Sequence, residues 1–161
     1  MDALPTEERR ALFAETVSER EKALYRVALV MLRRSADAED AVASAVEAAW
    51  RHIDRLRDDK ALPAYLMTCT VNACKNALRR RKREQPVDDL ELYAGTAESP
   101  LPVWAYLMGL PEKYRLPLAL RYGEDMLVEE IARALRLPRG TVSTRLSRGL
   151  KMLRAQIEKG G

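Results

Sequence analysis

Apolar positions recur every three or four residues along most of this chain, and the phase of that recurrence predicts helices in succession. Leu12, Phe13, Val17, Leu24, Val27, Ala28, Met31 and Leu32 form a stripe that starts at Thr6 and reaches about Arg34. Glu7 and Glu8 suit the start of that helix, and a break is expected near Ser18. Ser35 is the expected N-cap of a second helix, with Asp37 and Glu39 in its first turn. Val42, Ala45, Val46, Ala49, Trp50, Ile53 and Leu56 make its apolar face. After a charged loop, Arg57–Lys60, a third helix is expected from about Leu62 or Pro63 to about Arg83. Leu62, Tyr65, Leu66, Cys69 and Ala73 should face inward, and Asn72, Lys75, Asn76, Arg79, Arg80 and Arg83 outward. Three helices with short connections make a compact bundle.

The pattern lapses from Glu84 to Pro100, where two prolines, a glycine and five acids stand without an apolar period. That stretch reads as a flexible linker. It separates residues 1–83 from a second module, residues 101–161, so the expected fold is all-α with two small helical domains. Val103, Trp104, Leu107 and Met108 predict a short helix, broken at Gly109-Leu110-Pro111. Another helix is expected from about Glu112 to about Gly123, with Pro117 early enough to be tolerated. Two short amphipathic segments follow. Val128, Ile131, Ala132 and Leu135 mark the first, and Val142, Leu146, Leu150 and Leu153 mark the second. The break at Arg136-Leu137-Pro138 is tight, and Pro138 suits a first helical turn. Such a pair is a helix-turn-helix, whose second helix can enter a major groove. Its opposite face carries Ser143, Thr144, Ser147, Arg148 and Lys151, side chains suited to phosphates and base edges.

Charge placement sharpens this more than its total does. The net charge is only +4 over 161 residues. Lys60 to Arg83 nevertheless holds seven cations and no acid, and Thr141 to Arg154 holds four and no acid. Acid-free runs in a chain with 24 acids point to an anionic partner. Enzyme chemistry finds little support: His52 is the single histidine, and neither a nucleophile motif nor a carboxylate cluster with metal spacing is visible. No catalytic residue, metal or cofactor is therefore expected. Cys69 and Cys74 lie five apart, about 140° around a helix, which suits core filling rather than a disulfide or zinc. The N-terminus has no long apolar run and no stretch reaches a membrane span, so a cytoplasmic protein without membrane insertion is expected.

The segment from Leu110 to Leu153 resembles the fourth conserved region of bacterial sigma factors, through LPEKYR, EEIA and PRGTVSTRLSR together. It is most similar to the small extracytoplasmic-function (ECF) group. LYRVALVMLRRSADAEDAVASAVEAAW and AYLMTCTVNACKNALRRRKR resemble the two halves of the family's second region, with Asn72 where the family usually has Asn. The resemblance implies a non-catalytic initiation factor that binds core RNA polymerase and promoter DNA, and it makes an anti-sigma partner an expectation. It implies that residues 1–83 engage the polymerase and the −10 element during strand opening, and that residues 101–161 read the −35 element as duplex. The −10 candidates are Lys60, Asn72, Lys75, Asn76, Arg79, Arg80 and Arg83, which offer amides for base edges and cations for the backbone. The −35 candidates are Arg139, Thr141, Ser143, Thr144, Arg145, Ser147, Arg148 and Lys151, with Arg145 alternatively pairing with Glu129 or Glu130. Asp37, Glu39, Asp40 and Glu47 are the candidates for docking on the polymerase.

The chain departs from the family in three places. Ala41-Val42-Ala43-Ser44-Ala45-Val46 is smaller and less acidic than is usual after DAED. Pro63 replaces a residue that is often basic. Arg136 stands where the turn usually has Gly, so a differently built turn is expected. The competing reading is a helix-turn-helix regulator that binds DNA as a dimer through its N-terminal bundle.

Overall fold

The computed structural model describes residues 6–84 and 103–160, and the chain divides into two compact units, Met1–Leu90 and Glu91–Gly161. All regular elements among the described residues are helical. The expected linker lies almost wholly outside the described residues.

In the first unit α1 (Thr6–Leu32), α2 (Ser35–Arg51) and α3 (Leu62–Glu84) each pack on the other two. Leu24, Val27, Ala28 and Leu32 of α1 meet Ala38, Ala45 and Ala49 of α2 and Leu62, Leu66, Val71 and Cys74 of α3 in the core. The alanines of α2 keep its neighbours close, and each buried leucine contributes about 1.5–3 kcal/mol. No break occurs near Ser18. Buried Phe13 and Thr16 before it and Leu24 after it anchor one continuous helix, and that packing outweighs a propensity difference of about half a kcal/mol. Ser35 is not the cap of α2: the cap position is Arg34 in extended conformation, and the Ser35 hydroxyl shares a 2.7 Å hydrogen bond with Tyr25 instead. α2 stops at Arg51, short of the expected Leu56, and two 3₁₀ turns follow, Ile53–Arg55 and, in the expected charged loop, Asp59–Ala61. Val46, Trp50 and Leu56 are only partly buried, with Trp50 tilted against Phe13 at 5.1 Å between ring centroids.

The buried arc of α3 is rotated from the expected one. Leu62 and Leu66 are inside, but Met67, Thr70, Val71 and Cys74 complete the arc. Tyr65, Cys69 and Ala73 are half-buried at its edge. The reason is that α3 touches α1 and α2 together, which widens its covered arc on one side. Thr70 is tolerated there because its hydroxyl donates to the Leu66 carbonyl at 2.9 Å.

The second unit holds α4 (Val103–Met108), α5 (Glu112–Leu118), α6 (Val128–Leu135) and α7 (Arg139–Gly160). α5 has the expected extent only because it continues as a wide π turn over Ala119–Gly123. Pro117 has no N–H for the Lys113 carbonyl, so the ladder is already interrupted ahead of that turn. The short α6 starts with the Leu127 amide donating to Glu130 Oε1 at 2.8 Å. It ends at Arg136, whose φ of 57° and ψ of 47° are left-handed. The Leu137 amide then reaches back to the Ala132 carbonyl at 2.9 Å. The turn is therefore built in the left-handed form without a glycine, against expectation, and Arg136 bears a strain of about 1 kcal/mol or more. Pro138 lies just before α7 rather than in its first turn, its carbonyl accepting from the Val142 amide at 3.1 Å. Val142 and Leu146 are buried as expected, while Leu150 and Leu153 are half-buried. Gly149 takes the buried position next after Leu146, against Tyr114 and Leu118 of α5.

Candidate nucleic-acid interfaces

α7 presents one coherent stripe to solvent. Ser143, Thr144, Ser147, Arg148 and Lys151 are all exposed, because the arc centred on Val142 and Leu146 is turned to the core. Thr141 and Arg145 are half-buried at its margin. Arg139 is exposed but engaged: its guanidinium pairs with Glu129 at 2.6 Å and ties the start of α7 to α6. Glu129 is thus taken by Arg139 rather than by Arg145, its alternative partner, since Arg139 sits six residues closer to the helix start. Beside the stripe lies a groove of about 330 Å³ between α5 and α7, lined by Lys113 and Tyr114 on one wall and Thr141, Thr144, Arg145 and Arg148 on the other.

In the first unit a larger groove, about 660 Å³, runs between α2 and α3. Asn72, Asn76 and Arg80 line it, together with Tyr65, Thr68 and Cys69. Asn76, Arg79, Arg80 and Arg83 are exposed, and Asn72 and Lys75 are half-buried. Lys60 is exposed on the second 3₁₀ turn, its backbone amide donating to Asp58 Oδ1 at 3.0 Å. Burial pushes both the Tyr65 phenol and the Cys69 thiol up from their ordinary pKa values. Cys74, deeper in the core, is pushed up to about 12 by burial. All three therefore stay protonated near neutral pH, and the thiols are poor nucleophiles.

Asp37 and Asp40 line the groove, whereas Glu39 and Glu47 do not. Glu47 pairs with Arg51 at 2.6 Å, one turn on. Asp37 accepts from Arg81, whose other terminal nitrogen donates to the Leu32 carbonyl at 3.1 Å. One guanidinium thus satisfies an open carbonyl at the end of α1 and a carboxylate in the first turn of α2. Arg81 is the one cation of the Arg79–Arg83 cluster turned inward, with its side chain only 12% exposed.

Two family models match the chain: Sigma-70 region 2 over residues 16–84 and Sigma-70, region 4 over residues 101–153. The chain is 32% identical to the RNA polymerase sigma-E factor of Streptomyces avermitilis, a match covering 91% of this chain and 85% of that one. It is 31% identical to the ECF RNA polymerase sigma factor SigM of Mycobacterium tuberculosis, covering 86% and 74%. The chain belongs to the sigma-70 family, in its ECF group.

As a sigma factor it is a transcription initiation factor, and its relatives are not enzymes. This favours the initiation-factor reading over a dimeric regulator. The fold agrees with that of the sigma factor RpoE of Bartonella quintana, solved in complex with the anti-sigma factor NepR, at a TM-score of 0.80 and 22% identity over 91% of this chain and 96% of that one. Among the described residues no helix is long and apolar enough to cross a membrane, and no group of three or more His, Cys, Asp or Glu could hold a metal ion. Sequence reasoning missed Tyr65 and Thr68 in one groove and Lys113 and Tyr114 in the other. Tyr65 was obscured by the wrong helix phase. Lys113 and Tyr114 sit in the LPEKYR motif, but nothing local in it says that they face α7.

Proposed function

We propose that this sigma factor binds core RNA polymerase in the cytoplasm and directs it to promoters through two separate surfaces. The domain division is residues 1–83, a linker over 84–100, and residues 101–161. α7 reads the −35 element as duplex: Ser143, Thr144 and Arg148 face base edges, while Thr141, Arg145, Ser147 and Lys151 serve the backbone. Arg139 acts through its pair with Glu129, orienting the helix start. α3 and the turn before it act on the −10 element during opening, with Lys60, Lys75, Arg79, Arg80 and Arg83 on phosphates and Asn72 and Asn76 on bases. Glu39, Asp40 and Glu47 meet the polymerase, and Asp37 supports that face through Arg81. An anti-sigma partner is part of the reading. The supporting observation is the exposed, acid-free stripe Ser143–Lys151 on a helix that follows a tight turn.

The test is run-off transcription with core polymerase on a randomised promoter library, scored position by position. Arg148→Ala should cost about 1–3 kcal/mol at one upstream base pair and relax preference there. Lys151→Ala should weaken all sequences alike. An even loss at every position for Arg148→Ala would make it a backbone contact and refute the assignment.

A further inference from the structure

The segment that joins α2 to α3 has little to hold it. Residues 52–61 form two separate 3₁₀ turns, and Ile53 is the buried residue among them. The Asp58 carboxylate serves the segment itself, accepting from the Lys60 amide. Among the described residues, one side-chain hydrogen bond reaches the segment from another helix: Arg9 Nη1 of α1 donates to Asp54 Oδ1 at 2.7 Å. The two partners are unequal. The Asp54 side chain is 88% exposed, whereas that of Arg9 is 13% exposed and its Nε is buried without a hydrogen-bond partner. Covering a guanidinium in this way has a desolvation cost that an ion pair open to water on one side does not offset. Stability therefore does not account for the arrangement. Phe13, one turn along the same face of α1, packs on Trp50 at the end of α2. The start of α1 thus holds the chain at two points, by an aromatic contact just before the segment and by an ion pair inside it. Arg9 lies ahead of residues 16–84, the reach of the region 2 model, so the contact comes from outside that match.

We propose that Arg9 is a positioning residue for promoter opening: by holding Asp54 it keeps residues 52–61 in the conformation that presents Lys60 and the start of α3 to the −10 element. Arg9 acts through Asp54 and contacts no base. When the pair is broken the segment samples other conformations, and the competent fraction falls. The equilibrium between closed and open promoter complexes then falls by the same factor. This inference rests on the reading that α3 and the turn before it act at the −10 element.

The experiment uses the full chain with core polymerase and a promoter selected by that holoenzyme from a randomised pool, with a fluorescent purine analogue in the −10 element to report strand opening. Arg9→Gln and Asp54→Asn should each lower the closed-to-open equilibrium constant by about two- to fivefold, the upper figure corresponding to about 1 kcal/mol for an exposed pair. Arg9→Lys should restore most of the opening, because a single nitrogen carries the bond to Asp54. The double variant Arg9→Gln/Asp54→Asn should open no less well than either single one, since both remove the same contact. Asp54 is so exposed that its replacement leaves the fold intact, and amide hydrogen exchange of α1–α3 in Asp54→Asn should match wild type. Affinity for core polymerase should be unchanged in all four variants. If the double variant multiplies the two single losses, the residues act independently and the inference is overturned. If neither single variant moves opening while Lys60→Ala lowers it, the inference is overturned and the reading of the segment stands. If Lys60→Ala and the Arg79/Arg80 double variant leave opening untouched as well, the reading of the −10 surface fails and this inference falls with it.

Discussion

Arg81→Ala separates architecture from DNA binding within a run of five neighbouring cations. Arg81 donates to the Leu32 carbonyl and to Asp37, and its side chain is 12% exposed. A hydrogen bond from a charged donor is worth about 1.5–3 kcal/mol. The Asp37 side chain is 37% exposed, so that half of the arrangement is screened and adds no more than about 1 kcal/mol. The two together give a loss of about 1.5–4 kcal/mol. In a unit of this size each kcal/mol moves the melting temperature by about 4–8 °C, so the variant should melt at least about 6 °C lower. Arg81→Lys should lie about midway, since an ammonium lacks the fork that serves both partners. Arg79 and Arg80 are exposed, and replacing both by Ala should leave stability within about 0.5 kcal/mol per site. Hydrogen exchange in the full chain gives the stability of α1–α3 without interference from the second unit. Equal protection in Arg81→Ala and in the Arg79/Arg80 double variant would refute the reasoning.

Three further outcomes follow from local geometry. Gly149→Ala gains about 1 kcal/mol of helix propensity but forces Cβ contacts of 3.0 and 3.2 Å whose overpacking costs about 1–3 kcal/mol, so a net loss is expected in denaturant unfolding. Gly140→Ala has nothing within 4 Å and should not destabilise, and equal behaviour of the two variants would contradict the packing argument. Arg136→Gly relieves left-handed strain of about 1–2 kcal/mol against an entropic penalty of about 0.5–1 kcal/mol, so a gain of up to about 1.5 kcal/mol should appear, and a loss would count against it. Cys74 titrates at about 12 when folded and at about 8.5 when unfolded, so its contribution is fully present at neutral pH and is lost as pH rises between those values. A fall in stability above about pH 8.5 that is reduced in Cys74→Ala, with Cys69 labelled first by a thiol reagent, is the expected result. An unchanged pH profile in that variant would overturn it.

The periodicity of apolar residues was enough to mark the helices, because each is amphipathic and each is punctuated by Gly, Pro or a charged loop. It was not enough to set the phase of α3. A stripe on one helix says that an arc is covered, not whether one neighbour or two cover it, and Tyr65 and Cys69 were misplaced for that reason. Arg81 was illegible on different grounds: its neighbours Arg80 and Lys82 have the same chemistry, and only the meeting of α1, α2 and α3 singles it out. Ser35 looked like a cap because local rules favour serine there, but Tyr25 of the preceding helix offered its hydroxyl a partner. Arg136 shows the converse, a local preference for glycine overridden by the bond from Leu137 to Ala132. The α7 stripe was legible because hydroxyls and cations shared one helical face, whereas the wall supplied by Lys113 and Tyr114 came from a helix some thirty residues earlier.

Gly149 also bears on how promoter preference can drift over evolutionary time. It lets the α7 backbone come close to the Tyr114 and Leu118 side chains of α5, which sets the spacing between the α5 wall and the reading stripe. On the proposed reading, the packing of α7 and its reading of bases are then inherited as separate traits. Ser143, Thr144 and Ser147 are exposed and lie off the buried arc, so exchanging them changes which bases are favoured while leaving the fold and the α5 wall untouched. A lineage carrying this arrangement can retarget its regulon through a few surface codons, provided position 149 never acquires a side chain.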